Sequence, residues 1–363
     1  MQPLKNVSDY HGGSKTMSRK IKVAAVQMDA NPDSTAERLA RAEVLVAQAS
    51  QTGAQLVVLP ELFNTGYAYT NANFELAEPM GGMTSVWMKT KASQFNVHLA
   101  GSLMLFVDGE IYNALLLFSP TGQMWRYDKR FPWAWERGYF RERANSKTVA
   151  RTELGDLGML ICWDVGHRSR WKQYAGQVDM MVVSSCPVDG SDPAYHFPGG
   201  KQLTFKDFGP VSASLKNSAQ RTFREMFHQQ TAWMGVPCVS AAARGQIRTP
   251  IPRGFASLFS MLALAPWVAK YLPQAEQMEM SCQMVEACKV VDADGQVVAE
   301  CTQSQGEGFA IAEVTLPEVK PSPRGIQPAA PLSWLTYFIA DIVIPFLMHR
   351  VYKEGLAKSR VRE

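Results

Sequence analysis

The chain predicts an α/β fold, on three observations. Short apolar runs of strand length recur along it, stretches with helical spacing separate several of them, and the apolar runs carry no polar alternation, as strands buried on both faces require. "IKVAAVQM" (21–28) reads as the first strand, and Thr35 to Gly53 places Leu39, Ala42, Val46 and Ala49 three and four residues apart, an amphipathic helix. "AQLVVLPELF" is a second strand, stopped by Pro60. "SVWMKTKASQFN" is helical; "VHLAGSLMLF" and "IYNALLLFSPTG" are strands joined by the turn "VDGE"; "GDLGMLICW" is a further strand. A helix over 169–176 leads to the strand "VDMMVVSSC". Residues 187–217, rich in Gly, Pro, Asp and Ser, read as a long loop serving as a lid. The helix "NSAQRTFREMFHQQTAWMG", the strand "VPCVSAAARG" and the hairpin "VVDADGQVVAE" complete the pattern.

With 363 residues, the chain is long enough for one large α/β core with insertions. A net charge of +4 without a basic-aromatic stripe argues against nucleic acid as a partner. The 6 cysteines form neither a CxxC pair nor a zinc-spaced cluster, so a reducing compartment, without disulfides or a structural metal, is expected. Residues 1–20 are polar, lack the apolar core of a signal peptide, and read as a flexible leader.

Two stretches depart from this pattern. "GFASLFSMLALAPWVAKYLP" (254–273) is apolar almost throughout, with Trp267 and Tyr271 at its polar end. "LSWLTYFIADIVIPFLMHRVY" (332–352) approaches bilayer-spanning length, but Asp341 and Pro345 near its middle disfavour a lipid-facing span. Trp334 and Tyr337 suit an interface, and Lys353, Lys358, Arg360 and Arg362 follow, the arrangement of a helix lying in a membrane surface.

Three strand ends carry residues whose chemistry is complementary: Glu61, Lys129 and Cys162. Functional side chains of open α/β sheets collect beyond the carboxyl ends of strands. A thiol needs a base to become a thiolate, which Glu61 supplies, and the oxyanion formed on attack needs fixed positive charge, which Lys129 supplies. Taken singly, each has a plainer reading: Glu61 as a helix cap, Lys129 as a solvated turn residue, Cys162 as a small core residue.

The order and spacing of the three, with their local contexts, closely resemble the nitrilase superfamily, the carbon–nitrogen hydrolases with a Glu-Lys-Cys triad. "VAAVQM" resembles the first strand of that family; "LVVLPELFNTGY" is similar to the stretch with its base, at Glu61; "IYNALLLFSPTGQMWRYDKRF" to the hairpin ending in its lysine, at Lys129; "GMLICWD" to its nucleophile strand, at Cys162. "ERGYF" resembles the stretch bearing an auxiliary glutamate, Glu136, and "HQQTAWMGVPCVSAAARG" and "VVDADGQVVAE" the later helix, strand and hairpin. The resemblance implies a four-layer α-β-β-α sandwich over 21–320, interrupted by the apolar insertion 254–285 and followed by a C-terminal helical segment, 321–363.

It further implies thiol-dependent hydrolysis of a non-peptide amide, without metal or organic cofactor. Glu61 takes the proton of Cys162, the thiolate attacks the carbonyl carbon, Lys129 and the backbone N–H of Trp163 hold the oxyanion, and water activated by Glu61 cleaves the thioester. Glu136 orients substrate or Lys129. N-acyl transfer from the same thioester, and a non-catalytic membrane-associated scaffold, are the alternatives. Where relatives commonly continue with an Arg-Phe-Pro-Glu-like turn, this chain has "DVGHRSRW". Asp164 is expected to hold that turn, and Trp163, His167, Arg168, Tyr195 and His196 are candidate substrate contacts. The two apolar stretches imply a membrane surface or a partner copy, since relatives pair as homodimers through helices and C-terminal arms. A lipid-like amide as substrate and a cytoplasmic location, peripheral at the inner face of the membrane, follow as expectations.

Overall fold

The computed structural model describes residues 19–144, 147–190, 192–208, 217–262 and 265–360; most of the leader and residues 209–216 of the expected lid lie outside them. Two sheets form the centre. One runs in the order Met124–Asp128, Glu110–Phe118, His98–Val107, Leu56–Val58, Lys20–Asp29, Gly308–Thr315. The other runs Val149–Thr152, Gly155–Ile161, Met180–Ser185, Cys238–Arg244, Lys289–Val291, Val297–Glu300. They join at one corner, where Gln27, Met28 and Asp29 pair with Ala242, Ala243 and Arg244.

Alternation along each strand explains why sheet and helix layers stack. Val23 and Ala25 face the second sheet with Leu115 and Leu117, whereas Ala24, Val26, Ala114 and Leu116 face the helices Thr35–Gln51 and Met83–Gln94. Trp171, Tyr174, Phe227 and Met234, from the helices Arg168–Tyr174 and Phe227–Met234, cover the second sheet. The result is the four-layer α-β-β-α sandwich. Helix and strand approach closely at Gly158, where a Cβ would lie 2.4 Å from Met181 Sδ and 3.0 Å from Tyr174 Cδ1.

The stretch expected to be a plain loop, 187–217, contains structure of its own. Ala194–His196 pairs on one side with Gln202–Thr204 and on the other with Glu279–Gln283, which pairs with Gln246–Pro250. The glycines and prolines separate strands of only three residues, too short to carry a periodic signal. Glu279–Gln283 belongs to the apolar insertion, so the insertion and the loop fold together as one small sheet over the site.

The C-terminal segment is a continuous helix, Trp334–Ser359, long and apolar enough to cross a membrane by length and composition. It lies instead against its own domain. Ala340, Ile344, Met348, Tyr352 and Leu356, each four residues from the next, are buried. Tyr352 donates from its hydroxyl to Glu110 and accepts from the Ile111 N–H at 2.9 Å. A π turn over Ile339–Val343 precedes Pro345, whose ring and missing N–H disrupt ordinary α-helical bonding, and it carries Asp341 inward. Asp341 therefore does not face lipid: it accepts from Trp163 Nε1 and bonds His167 Nε2, both at 2.9 Å.

Docking of this helix is testable at Gly355, where an added Cβ would lie 2.1 Å from a ring carbon of Phe74. In an undocked helix Gly355→Ala stabilises by about 0.5–1 kcal/mol. Docked as here, it lowers the thermal midpoint, and a raised midpoint would show the helix free of the domain.

Candidate active site

Glu61, Lys129 and Cys162 converge at one end of the sandwich, together with Glu136. The Lys129 ammonium is fully buried and donates to Glu61 Oε1 and Glu136 Oε2, both at 2.7 Å. Glu61 Oε1 also accepts from Asn113 Nδ2 at 2.7 Å, and Glu61 Oε2 from the Cys186 N–H at 2.7 Å. Glu136 accepts from the Tyr67 hydroxyl at 2.6 Å and from the Trp133 N–H at 2.9 Å. The Cys162 thiol donates to the Cys186 carbonyl at 3.3 Å. The peptide groups of Cys186 thus hold Glu61 and Cys162 together.

Local backbone strain marks the same place. Cys162 has φ of 45°, Leu62, next to the base, 49°, and Ala134, opening the turn that bears Glu136, 42°. Non-glycine residues in this left-handed region persist where the surrounding structure over-determines them. At Cys162 the restraint is Asp164, which accepts from the Tyr127 hydroxyl at 2.7 Å, the Phe131 N–H at 2.9 Å and the Ile161 N–H at 3.3 Å. Asp164 holds the turn, linking the nucleophile strand to the segment after Lys129.

Burial sets the electrostatics. It raises the Glu61 carboxyl above the usual range, against the pull of Lys129. Burial, then the Glu61 charge, pushes the Cys162 thiol well up. Desolvation also works against the Lys129 charge, but Glu136, Glu61 and Cys162 outweigh it and hold the ammonium well above the ordinary lysine value. Both shifts favour the neutral forms of Cys162 and Glu61, while the ammonium between the two glutamates is favoured as a cation.

The site opens into a cavity of about 180 Å³, with Glu136 and Cys162 on its wall and Tyr67, Trp133, Trp163, Tyr195, Phe223, Met261 and Met280 around it. Leu332, Leu335, Ile339, Ala340 and Ile344 close the far side, so the C-terminal helix is a wall of this chain's own site. Glu136 is the only charged side chain among the described lining residues.

The other sequence candidates divide. Trp163 and Tyr195 line the cavity; His167, Arg168 and His196 do not. His167 stacks on Phe131 at 3.7 Å between ring centroids and binds Asp341, so it fastens the C-terminal helix and does not face substrate. Arg168 is exposed and donates to the Gln327 carbonyl at 3.1 Å. His196 bonds Ser281 Oγ across the strand pair at 2.7 Å, on the strand face opposite Tyr195. Tyr337 donates to the Gly166 carbonyl at 2.7 Å, so it too is a tie to the domain. Sequence reasoning missed Tyr67, Asn113 and Cys186. Asn113 was detectable as the polar interruption of an apolar strand; nothing local distinguishes Tyr67 or Cys186.

Removing the cation from this buried cluster leaves two carboxyl groups without compensation. Lys129→Met is expected to destabilise by about 3–5 kcal/mol in denaturant unfolding near neutral pH. The deficit shrinks as the pH falls and the carboxylates take up protons, and Glu136→Gln in the same chain recovers part of it.

The chain is similar to known proteins in sequence and in fold. Residues 22–198 match the carbon–nitrogen hydrolase family. The chain is similar to a nitrilase from Pyrococcus abyssi, 31% identical over 147 residues, covering 40% of this chain and 56% of that one. It is similar to omega-amidase NIT2-A from Xenopus laevis, 34% identical over 174 residues, covering 45% and 62%. The chain therefore spans a little over half the length of the curated relatives it matches. Among solved structures, a carbon–nitrogen hydrolase from Helicobacter pylori G27 aligns with a TM-score of 0.59 at 18% identity, over 82% of this chain and 89% of that one. A mutant amidase from Nesterenkonia sp. AN1, carrying an acrylamide adduct on its active-site cysteine, aligns with a TM-score of 0.55 at 16% identity, over 80% and 92%. Residues 22–198 thus belong with the carbon–nitrogen hydrolases of the nitrilase superfamily.

Proposed function

We propose that this chain hydrolyses the amide of a neutral, largely apolar acyl group through a Cys162 thioester. The observation carrying the reading is the buried Glu61–Lys129–Glu136 cluster beside a strained cysteine that opens on a cavity. Glu61 takes the thiol proton as the sulfur attacks the carbonyl carbon. Lys129 and the Trp163 N–H stabilise the oxyanion, and protonated Glu61 returns its proton to the departing amine. Water then attacks the thioester, giving its proton to Glu61, and the acid leaves as the thiol re-forms. Tyr67 and the Trp133 N–H hold Glu136, which steadies the lysine.

The substrate class follows from the lining. A substrate carrying a carboxylate remote from its amide needs a cation in the pocket, and among the described lining residues there is none. Lys129 is already committed to two glutamates. Aromatic, methionine and leucine side chains suit an aliphatic or lipid-like acyl group instead. The same dry lining favours a second fate for the thioester, transfer to an amine, which product analysis with an added amine distinguishes from hydrolysis.

Cys162→Ala is expected to abolish turnover, and mass spectrometry of the wild-type chain quenched with a fatty amide to find the acyl mass on Cys162. Turnover persisting in the alanine variant would overturn the assignment. Glu61→Gln is expected to lower turnover by about 10²–10⁴-fold. Because Glu61 works as a base only when ionised and burial raises its proton affinity, activity is expected to fall on the acid side at a pH above the usual carboxylate value of about 4.3. Across a series of primary amides, kcat/KM is expected to rise with chain length, and an ω-carboxylated amide of equal length to react poorly. The reverse order would place an unrecognised cation in the pocket.

A further inference from the structure

The C-terminal helix is apolar on both of its sides, and only one is covered. Opposite the buried row Ala340, Ile344, Met348, a second row at spacing four, Trp334, Phe338, Ile342 and Phe346, points outward with exposures of 76%, 46%, 57% and 81%. This row is about 18 Å long at the α-helical rise. Beside it lies the insertion helix Gly254–Phe259, whose Phe255 and Phe259 rings stack at 6.1 Å and are 46% and 57% exposed. The two helices are tied where Arg253 Nη1 donates to the Leu347 carbonyl at 2.9 Å.

We propose that this face docks on a lipid bilayer containing anionic headgroups, with the C-terminal helix lying in the plane of the interface. Two observations select this occupant over a second copy of the chain. The first is charge: the outward row ends at Phe346 and gives way to exposed Arg350, Lys353 and Lys358, and Arg253 lies alongside, so aromatic side chains are bordered by cations, as anionic headgroups require. Glu354, paired with Arg350, and Glu276, which accepts from the Phe255 N–H at 3.2 Å, offset part of that charge and leave Lys353, Lys358 and Arg253 as cations on this side.

The second is continuity with the cavity. Leu332, Ser333, Leu335 and Thr336 line it, Leu335 is itself 37% exposed, and Trp334 between them, the first aromatic of the row, is 76% exposed. The cavity therefore reaches the surface at the start of the outward row. A protein seated there would stopper it, whereas a bilayer would feed it an amphiphile. Asp341 makes insertion across the bilayer unnecessary: its bonds to Trp163 and His167 hold the helix on the domain and its outward row on the surface.

The experiment is flotation of the full chain with vesicles of phosphatidylcholine alone or mixed with phosphatidylglycerol, using Cys162→Ala so that binding is read without turnover. The chain is expected to float with the mixed vesicles, less with the neutral ones, and less at high salt. Phe338→Glu with Phe346→Glu is expected to weaken flotation by at least about tenfold. In a chain retaining Cys162, the same pair leaves hydrolysis of a short soluble amide unchanged, since neither residue lines the cavity. A chain that stays at the bottom with both vesicle types overturns the proposal. So does a double variant that floats normally while shifting from dimer to monomer in sedimentation, which would assign the face to a second copy. Neither result touches the thioester chemistry, which is read at Cys162.

Discussion

The buried Lys129 ammonium, held between Glu61 and Glu136, is the interaction on which the rest of the site depends. A charge with no solvent exposure is tolerable only if its bonds are made inside the protein, and here two carboxylates make them at 2.7 Å. Those carboxylates come from two other chain segments, so satisfying one ammonium aligns the end of Leu56–Val58, the end of Met124–Asp128 and the turn Ala134–Gly138. Each carboxylate is in turn bound by groups from further away, Asn113 and Cys186 on one, Tyr67 and Trp133 on the other. Left-handed backbone at Leu62, Ala134 and Cys162 is held within this network.

The network has a second tier, in which the C-terminal helix takes part. Trp163, the residue after the nucleophile, both lines the cavity and donates to Asp341. A carboxylate 178 positions away thereby fixes the ring of the residue next to Cys162. The insertion does the same for Glu136: Ser257 Oγ accepts from Trp135 Nε1 at 3.1 Å, in the turn that carries the glutamate. The two stretches that depart from an ordinary α/β pattern are thus built into the site, and only their outer faces are left to meet something else.

The chemistry of the cavity and that of the surface agree. A described lining whose one charged side chain, Glu136, is bound to Lys129 suits an apolar acyl group, and such molecules partition to interfaces instead of remaining free in water. A mouth opening beside exposed aromatics and cations would take the substrate where it is concentrated. The departure at "VGHRSRW" fits the same plan, because His167 serves the C-terminal helix and Arg168 the segment before it, not the substrate.

The sequence by itself determined the strand and helix pattern, the sandwich class through a resemblance, and the candidates Glu61, Lys129, Cys162 and Glu136, which the fold brings to one place. These were legible because each depends on local chemistry: periodic apolar spacing, and a nucleophile, a base and a cation each at a strand end. It also showed that Asp341 and Pro345 do not suit a lipid-facing span. What only the tertiary structure decided is what each of these meets. That Asp341 holds Trp163 and His167, that Cys186 bridges base and nucleophile, that His196 turns away from the cavity while Tyr195 lines it, and that the C-terminal helix walls its own active site all depend on contacts between residues 24 to 178 positions apart or on which face of a three-residue strand is inward. Side-chain partnerships at that separation leave no periodic trace along the chain, because they are set by how layers pack and not by the neighbours of each residue.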